Sequence, residues 1–219
     1  MTTSVGIIGG TGPLGRGLAV RFARSGLAVT IGSRDLERAQ ATAAAVTERL
    51  GGAGAPVGGT TNAELVATEE TVILAVPYET MDGLLPSLRT ALAGRLVVSA
   101  VNPLGFDGRG PHPIPVPDGS AAQRVAAALP DARVTAAFHT VSAVELAAID
   151  RPMDDDVPVV GDDEDDLASV VALADRIDGC RGVAVGPLRL ATVLETLTPV
   201  LIAVNRRAKT HAGVRFSRL

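Results

Sequence analysis

The sequence predicts an α/β fold: a doubly wound, mostly parallel sheet with a smaller C-terminal part. Three observations carry this expectation. Short β-branched runs alternate with amphipathic, Ala-rich segments along nearly the whole chain, the pattern of parallel strands joined by right-handed crossover helices. The first run passes into a glycine-rich turn and then directly into a helix. The chain has 219 residues, of which 47% are hydrophobic and 20% charged, enough to build a buried core and unlike a disordered polymer.

In chain order, strands are expected over residues 4–8, 28–32, 57–60, 71–76, 96–100, 133–137, 157–160 and 182–185. Helices are expected over 14–25, 35–50, 80–93, 119–128, 163–177 and 188–208. Between Val101 and Asp118 the text VNPLGFDGRGPHPIPVPD is dense in residues that lack a ladder donor or favour unusual dihedrals, so it reads as an irregular loop, either functional or a plain connector. The acidic groups Asp154–Asp156 and Asp162–Asp166 invite a metal reading. The second group, however, enters a helix, where carboxylates offset the macrodipole and cap free amides, and it lacks the ligand spacing and central glycine of a calcium loop.

Composition excludes several classes. Aromatic residues make up 2% of the chain and the net charge is −4, so neither stacking platforms nor a cationic stripe for nucleic acid is present. The single cysteine, Cys180, has no internal partner for a disulfide and reads as a packing residue. The start MTTSVGIIGG lacks the basic and long apolar regions of a secretion leader, and the most apolar runs, 71–76 and 200–204, are far shorter than the roughly 20 residues of a membrane span. A cytoplasmic location is expected.

The glycine-rich turn carries the chemistry. Gly10, Gly12 and Gly15 have the GxGxxG spacing: the first allows a tight turn, the second lets a pyrophosphate approach the backbone, and the third lets helix and strand pack closely. The helix start supplies amides and positive potential, so the N-terminal unit is expected to be a Rossmann-type dinucleotide-binding domain. The end of the second strand chooses the dinucleotide. An acid there would accept from the ribose hydroxyls and repel a 2′-phosphate, but the residues are Ser33 and Arg34, with Arg38 one helical turn on. A hydroxyl and two guanidinium forks favour NADP, each charge pair at about 4 Å contributing roughly 1 to 4 kcal/mol. Asp35 is read as a helix cap facing away. Val76 and Pro77, beyond the fourth strand, and His139, beyond the sixth, should border the ribose and nicotinamide, since ligands sit past the carboxyl ends of parallel strands. Tyr78 either joins them or caps the strand edge, and His139 is either a site residue or a hydrogen-bonded structural one.

With GGTGPLGRGLA, IGSRDLERA, FHTVSAVELA, DDDVPVVGDDEDD, GPLRLATVLETLTPVLIAVN and GVRF, the chain resembles the NADPH-dependent coenzyme F420 reductases, or deazaflavin:NADP oxidoreductases, over nearly its whole length. The resemblance implies reversible hydride transfer between NADP(H) and the deazaflavin F420. It implies a cleft between a nucleotide domain, residues 1–138, and a smaller part, residues 139–219. By the same resemblance Thr11, Gly12, Pro13 and Leu14 meet the pyrophosphate, and Ser33, Arg34 and Arg38 the 2′-phosphate. Val76, Pro77, His139, Val141 and Ala143 line the hydride cleft, and residues near Ala212 close it. It also implies a homodimer, to which the apolar helix 190–204 could contribute. Direct hydride transfer needs alignment and desolvation rather than an obligatory acid or base, so no catalytic residue is expected beyond His139 as a candidate. Two other readings remain: an NADP-dependent reductase of a small carbonyl or imine, which needs a proton donor, and a non-catalytic NADP-binding sensor.

Overall fold

The computed structural model describes residues 3–219; Met1 and Thr2, where the segment read for a leader begins, lie outside them. The strands and helices alternate as β1 (Ser4–Ile8), α1 (Pro13–Arg24), β2 (Ala28–Ser33), α2 (Leu36–Arg49), β3 (Val57–Thr61), α3 (Asn62–Thr68), β4 (Thr71–Leu74), α4 (Met81–Leu88) and β5 (Leu96–Ser99). They continue as β6 (Leu104–Asp107), β7 (Gly110–Pro113), α5 (Ala121–Ala128), β8 (Arg133–Ala136), α6 (Ala143–Ala147), β9 (Asp155–Gly161), α7 (Glu164–Ala174), β10 (Cys180–Gly186) and α8 (Ala191–Ala208). Single 3-10 turns, Tyr78–Thr80 and Leu188–Leu190, lead into α4 and α8.

Eight strands form one sheet in the order β10-β9-β8-β5-β4-β1-β2-β3. All pairs are parallel except β8 with β9, which is antiparallel. The reversal follows from the connection. The connection contains only the five-residue α6, which advances about 7.5 Å, and no longer helix returns the chain along the sheet; β9 starts at the carboxyl end of β8 and runs the other way. One face is covered by α1, α2, α6 and α7 through Leu18, Phe22, Ala39, Leu146 and Val170. The opposite face is covered by α3, α4 and α5 through Leu65, Leu85 and Val125. The doubly wound architecture expected from the alternation is therefore present.

Two corrections concern the connections. Residues 101–118 are not wholly irregular: β6 and β7 form an antiparallel hairpin pairing Leu104 with Pro113 and Asp107 with Gly110. The Asp107 carboxylate accepts from the amides of Arg109 (2.8 Å) and Gly110 (3.1 Å), a side-chain-closed turn that outweighs the prolines, which a two-stranded ribbon tolerates because it is all edge. The expected helix over 80–93 is shorter, ending at Leu88 with Pro86 inside it, where a missing donor weakens continuation.

The C-terminal part is tied into the sheet rather than hung from it. Arg21 of α1, 3% exposed, donates to the carbonyls of Glu145, Leu146, Ala148 and Arg151 at 2.7–3.0 Å, gathering carbonyls at the end of α6 and in the turn after it. A Cβ at Gly17 would stand 2.6 Å from Leu146 Cβ, so α1 and α6 meet at a glycine. By length and composition the segment Leu188–Ala208 could cross a membrane, which the runs considered singly did not suggest. Here its Leu188, Ala191 and Leu194 pack on Ala122, Ala136 and Val160.

Candidate functional site: a cleft at the sheet's switch point

The strand order reverses between β1 and β4, and just beyond their carboxyl ends lies a cleft of about 810 Å3, where open α/β sheets bind ligands. Its floor is the turn after β1. The Gly10 amide donates to the Ile7 carbonyl (3.2 Å) and that of Gly12 to Gly9 (2.9 Å). Gly12 caps α1 without any side-chain bond to the first-turn amides, and Pro13 follows at the first helical turn, so free N–H groups and the positive end of the dipole face the cleft. A Cβ on Gly15 would lie 2.6 Å from Gly10 Cα, and one on Gly10 2.9 Å from Ile31 Cγ2; internal packing excludes both. On Gly12 it would meet only the Gly9 carbonyl at 3.3 Å. Gly12 lines the cleft, and its bare backbone fits the close approach of a pyrophosphate.

The end of β2 forms the second wall. Ser33, Arg34 and Arg38 all line the cleft, and among the described residues neither guanidinium enters an ion pair. The nearby acid is turned away as expected: the Asp35 carboxylate accepts from the Arg38 amide at 3.1 Å and caps α2, while the Asp35 amide donates to Ser33 Oγ at 3.1 Å. Ser33 and two cations with no opposing carboxylate suit a phosphate dianion.

Thr61, Asn62 and Ala63 complete this end, a wall that motif reading missed. The signal was present as Thr61-x-x-Glu64. Thr61 Oγ1 accepts from the Glu64 amide (3.3 Å) and Glu64 Oε2 from the Thr61 amide (3.2 Å), a capping box that starts α3. Hydrogen bonds from Thr60, then from the Thr61 amide and hydroxyl, hold the Glu64 carboxyl below its ordinary range.

At the other end Val76 and Pro77 line the cleft, with Glu79, Thr80 and Leu84 beyond them. Thr11 of the glycine-rich turn also lines the cleft; the other residues singled out from sequence do not form its wall. Gly10 is buried beneath the turn, and Pro13 and Leu14 start α1. His139 is 4% exposed with neither ring nitrogen hydrogen-bonded. Burial alone pulls its pKa down to about 4, so the ring is neutral near pH 7 and is not a ready proton donor. Val141 is 7% exposed, Ala143 opens α6, and the Ala212 amide donates to Asn205 Oδ1 at 2.6 Å. Tyr78 belongs to a surface network: its hydroxyl accepts from Arg124 at 3.2 Å, and Arg124 also pairs with Asp82 at 2.6 Å.

The acidic runs are absorbed by the fold. Asp163 accepts from the Asp166 amide (3.0 Å) and caps α7, and Asp166 pairs with Arg133. Asp156 pairs with Arg181 (2.7 Å) and accepts from the Phe216 amide (2.5 Å), fastening the C-terminal tail to β9. Among the described residues no group of His, Cys, Asp or Glu is placed to hold a metal. Cys180 packs against the larger core cluster, and burial pushes its thiol up to about 12, which makes it inert. Two buried acids were not singled out: Glu69, which accepts from the Ser4 and Thr30 hydroxyls (2.6 Å each), and Glu195 of α8, 3% exposed, which accepts from the amides of Ala121 (2.8 Å) and Ala122 (3.0 Å). Burial raises Glu195 to about 7 despite those two amides.

Residues 4–103 match the family model described as NADP oxidoreductase, coenzyme F420-dependent. The whole chain is similar to the F420-dependent NADP reductase of Methanothermobacter thermautotrophicus, 38% identical over 100% of this chain and 97% of the relative. Against that of Methanocaldococcus jannaschii it is 36% identical over 98% of each. A crystal structure from Arthrobacter sp. FB24, whose proposed role is that of an F420-dependent NADP reductase, superimposes with a TM-score of 0.79 at 27% identity, covering 94% of this chain and 95% of that one. A reductive aminase from Aspergillus terreus in complex with NADPH shares the fold alone, with a TM-score of 0.62 at 19% identity over 95% of this chain and 64% of its own.

Proposed function

The chain belongs to the F420-dependent NADP oxidoreductases, and from that premise we propose that it transfers a hydride reversibly between NADP(H) and coenzyme F420. The observation that carries the nucleotide half is Ser33, Arg34 and Arg38 on one cleft wall with Asp35 folded into its own helix. The nicotinamide and deazaflavin rings supply the redox chemistry. The Gly12 backbone and the start of α1 hold the pyrophosphate, with Thr11, Pro13 and Leu14 around it. The Arg34 and Arg38 guanidiniums hold the 2′-phosphate, and Val76 and Pro77 exclude water beside the nicotinamide. Residues 139–219 form the part that closes the deazaflavin side, with His139, Val141, Ala143 and Ala212 toward that ring. Among the described residues the cleft wall carries no hydrogen-bonded acid–base pair, which suits a reaction that is alignment and desolvation.

The reading that F420 is the partner rests on the full-length relatives named for that activity. The alternative, reduction of a small carbonyl or imine, needs a proton donor, and His139, held neutral by burial, is poorly suited to it. We also propose a cytoplasmic homodimer joined through α8, whose Val193, Val200 and Val204 are 61%, 54% and 44% exposed and recur at helical spacing on one face.

Mixing the enzyme with NADPH and oxidised F420 should bleach the deazaflavin's visible absorbance, with NADH far slower. Arg34→Ala and Arg38→Ala should each lower kcat/KM for NADPH about tenfold, one lost charge pair, and leave NADH nearly unchanged. Absence of bleaching with tightly bound NADPH overturns the F420 reading; equal losses with both nucleotides overturn the 2′-phosphate assignment.

A further inference from the structure

Three segments distant in sequence meet at the exits of β5 and β8 through side-chain hydrogen bonds. Asn102 follows β5; its Nδ2 donates to the His139 carbonyl at 3.1 Å. Thr198, midway along α8, places its hydroxyl 2.9 Å from the same carbonyl and 3.0 Å from Asn102 Oδ1, so its one proton is shared between two acceptors. The peptide gripped in this way is a special one. Phe138, immediately before it, has φ 67°, a left-handed conformation unusual for a bulky residue and held only where surroundings over-determine it. Its ring is fully buried edge-to-face on Phe22, with centroids 6.1 Å apart. Phe138 thus anchors the segment from the core side, and Asn102 and Thr198 fix it from the side of α8.

The sheet order places this bracket functionally. β5 lies between β4 and β8. The exit of β4, Val76 and Pro77, lines the cleft; the exit of β8 carries His139. The bracket therefore joins the exits of β5 and β8, next in the sheet to the β4 exit, and ties both to α8. We propose that Asn102 and Thr198 are positioning residues for hydride transfer: by holding the His139 peptide they set the register of segment 138–143, and of α8 with the tail beyond it, against the nucleotide half. This rests on the reading that F420 occupies that side of the cleft. Misplacement of a reacting ring by about 1 Å can cost about a hundredfold in rate, so the loss should fall on alignment and not on nucleotide affinity.

The test compares wild type, Thr198→Val, Thr198→Ser, Asn102→Ala and the double variant Thr198→Val/Asn102→Ala. NADPH and F420 dissociation constants come from fluorescence titrations without turnover, melting temperatures from thermal scans, and kcat and KM from F420 bleaching. Thr198→Val is expected to lower kcat/KM for F420 tenfold or more while its NADPH dissociation constant stays within twofold; Thr198→Ser should restore most of the rate. The double variant should be no slower than the worse single one, as for residues acting as a unit. Thr198→Val with wild-type kinetics and F420 affinity overturns the proposal, as does a loss shared equally by NADPH affinity and melting temperature and not rescued by serine. A wild type that binds NADPH and never bleaches F420 overturns instead the reading beneath it.

Discussion

Glu195 and Arg34 stand at opposite extremes of legibility. Arg34 declares itself because strand β2 ends just before it and ribose chemistry requires either an acid or a cation there; its neighbour Asp35 needed only the rule that such residues cap helices. Glu195 sits between Leu194 and Thr196 in an apolar helix, and its partners are two backbone amides 74 and 73 residues away, a contact no local pattern encodes. It carries a pH prediction. Its carboxyl is raised by burial from 4.5 to about 7, so the folded state holds the proton more tightly. The associated stability is fully present below about 4.5 and is lost as pH rises through about 7. Relative to Glu195→Gln, wild type should lose urea resistance between pH 5 and pH 8. His139 has the opposite sign, its stability contribution being lost as pH falls toward about 4, but it is common to both proteins and cancels in the difference. Parallel stability curves for the two proteins would show that Glu195 does not titrate in this window.

The long helices were legible because a period can emerge along them: α1, α2 and α7 lie within a few residues of expectation. β1 and β2 were legible as β-branched runs bounded by turn residues. The short ones were not: α3 has seven residues and α6 five, less than two full turns, too few for a period to emerge. The β6–β7 hairpin hid behind prolines that an edge ribbon accepts. Of these, α6 matters most, because it packs on α1 at Gly17 and ties the chain after β8 to the first helix. The joint depends on Arg21, which donates to four carbonyls at and just after α6 and whose pKa burial lowers. Replacing it with methionine keeps the apolar stem and strands those carbonyls. Arg21→Met should therefore lower the free energy of unfolding by about 3 kcal/mol, in line with lost charge-assisted bonds and unsatisfied buried acceptors. A change below about 0.5 kcal/mol in urea denaturation would mean that α6 is held by Leu146 and its neighbours alone.

At the scale of the molecule, eight strands in one sheet bring the end of β1, the end of β2 and the exits of β4, β5 and β8 to a single edge. Fold class and nucleotide were legible, because glycine spacing and strand ends are local properties. The walls made by Thr61, Asn62 and Ala63 at one end and by Glu79, Thr80 and Leu84 at the other were not, because these residues reach the cleft only through sheet order. The exposed valines of α8 lead to a prediction at this scale, resting on the proposed homodimer: light scattering should give a dimer for wild type and a shift toward monomer for Val200→Lys, whereas a wild-type dimer unchanged by the substitution would remove α8 from the interface. The central claim is that one cleft aligns two rings for direct hydride transfer without an intervening acid or base. NADPH deuterated at the transferable position of the nicotinamide, one face at a time, tests it most directly, with mass spectrometry of the reduced F420. The account predicts that deuterium from one face is retained in the deazaflavin and none is exchanged with water. Deuterium appearing in solvent, or equal transfer from both faces, would contradict it.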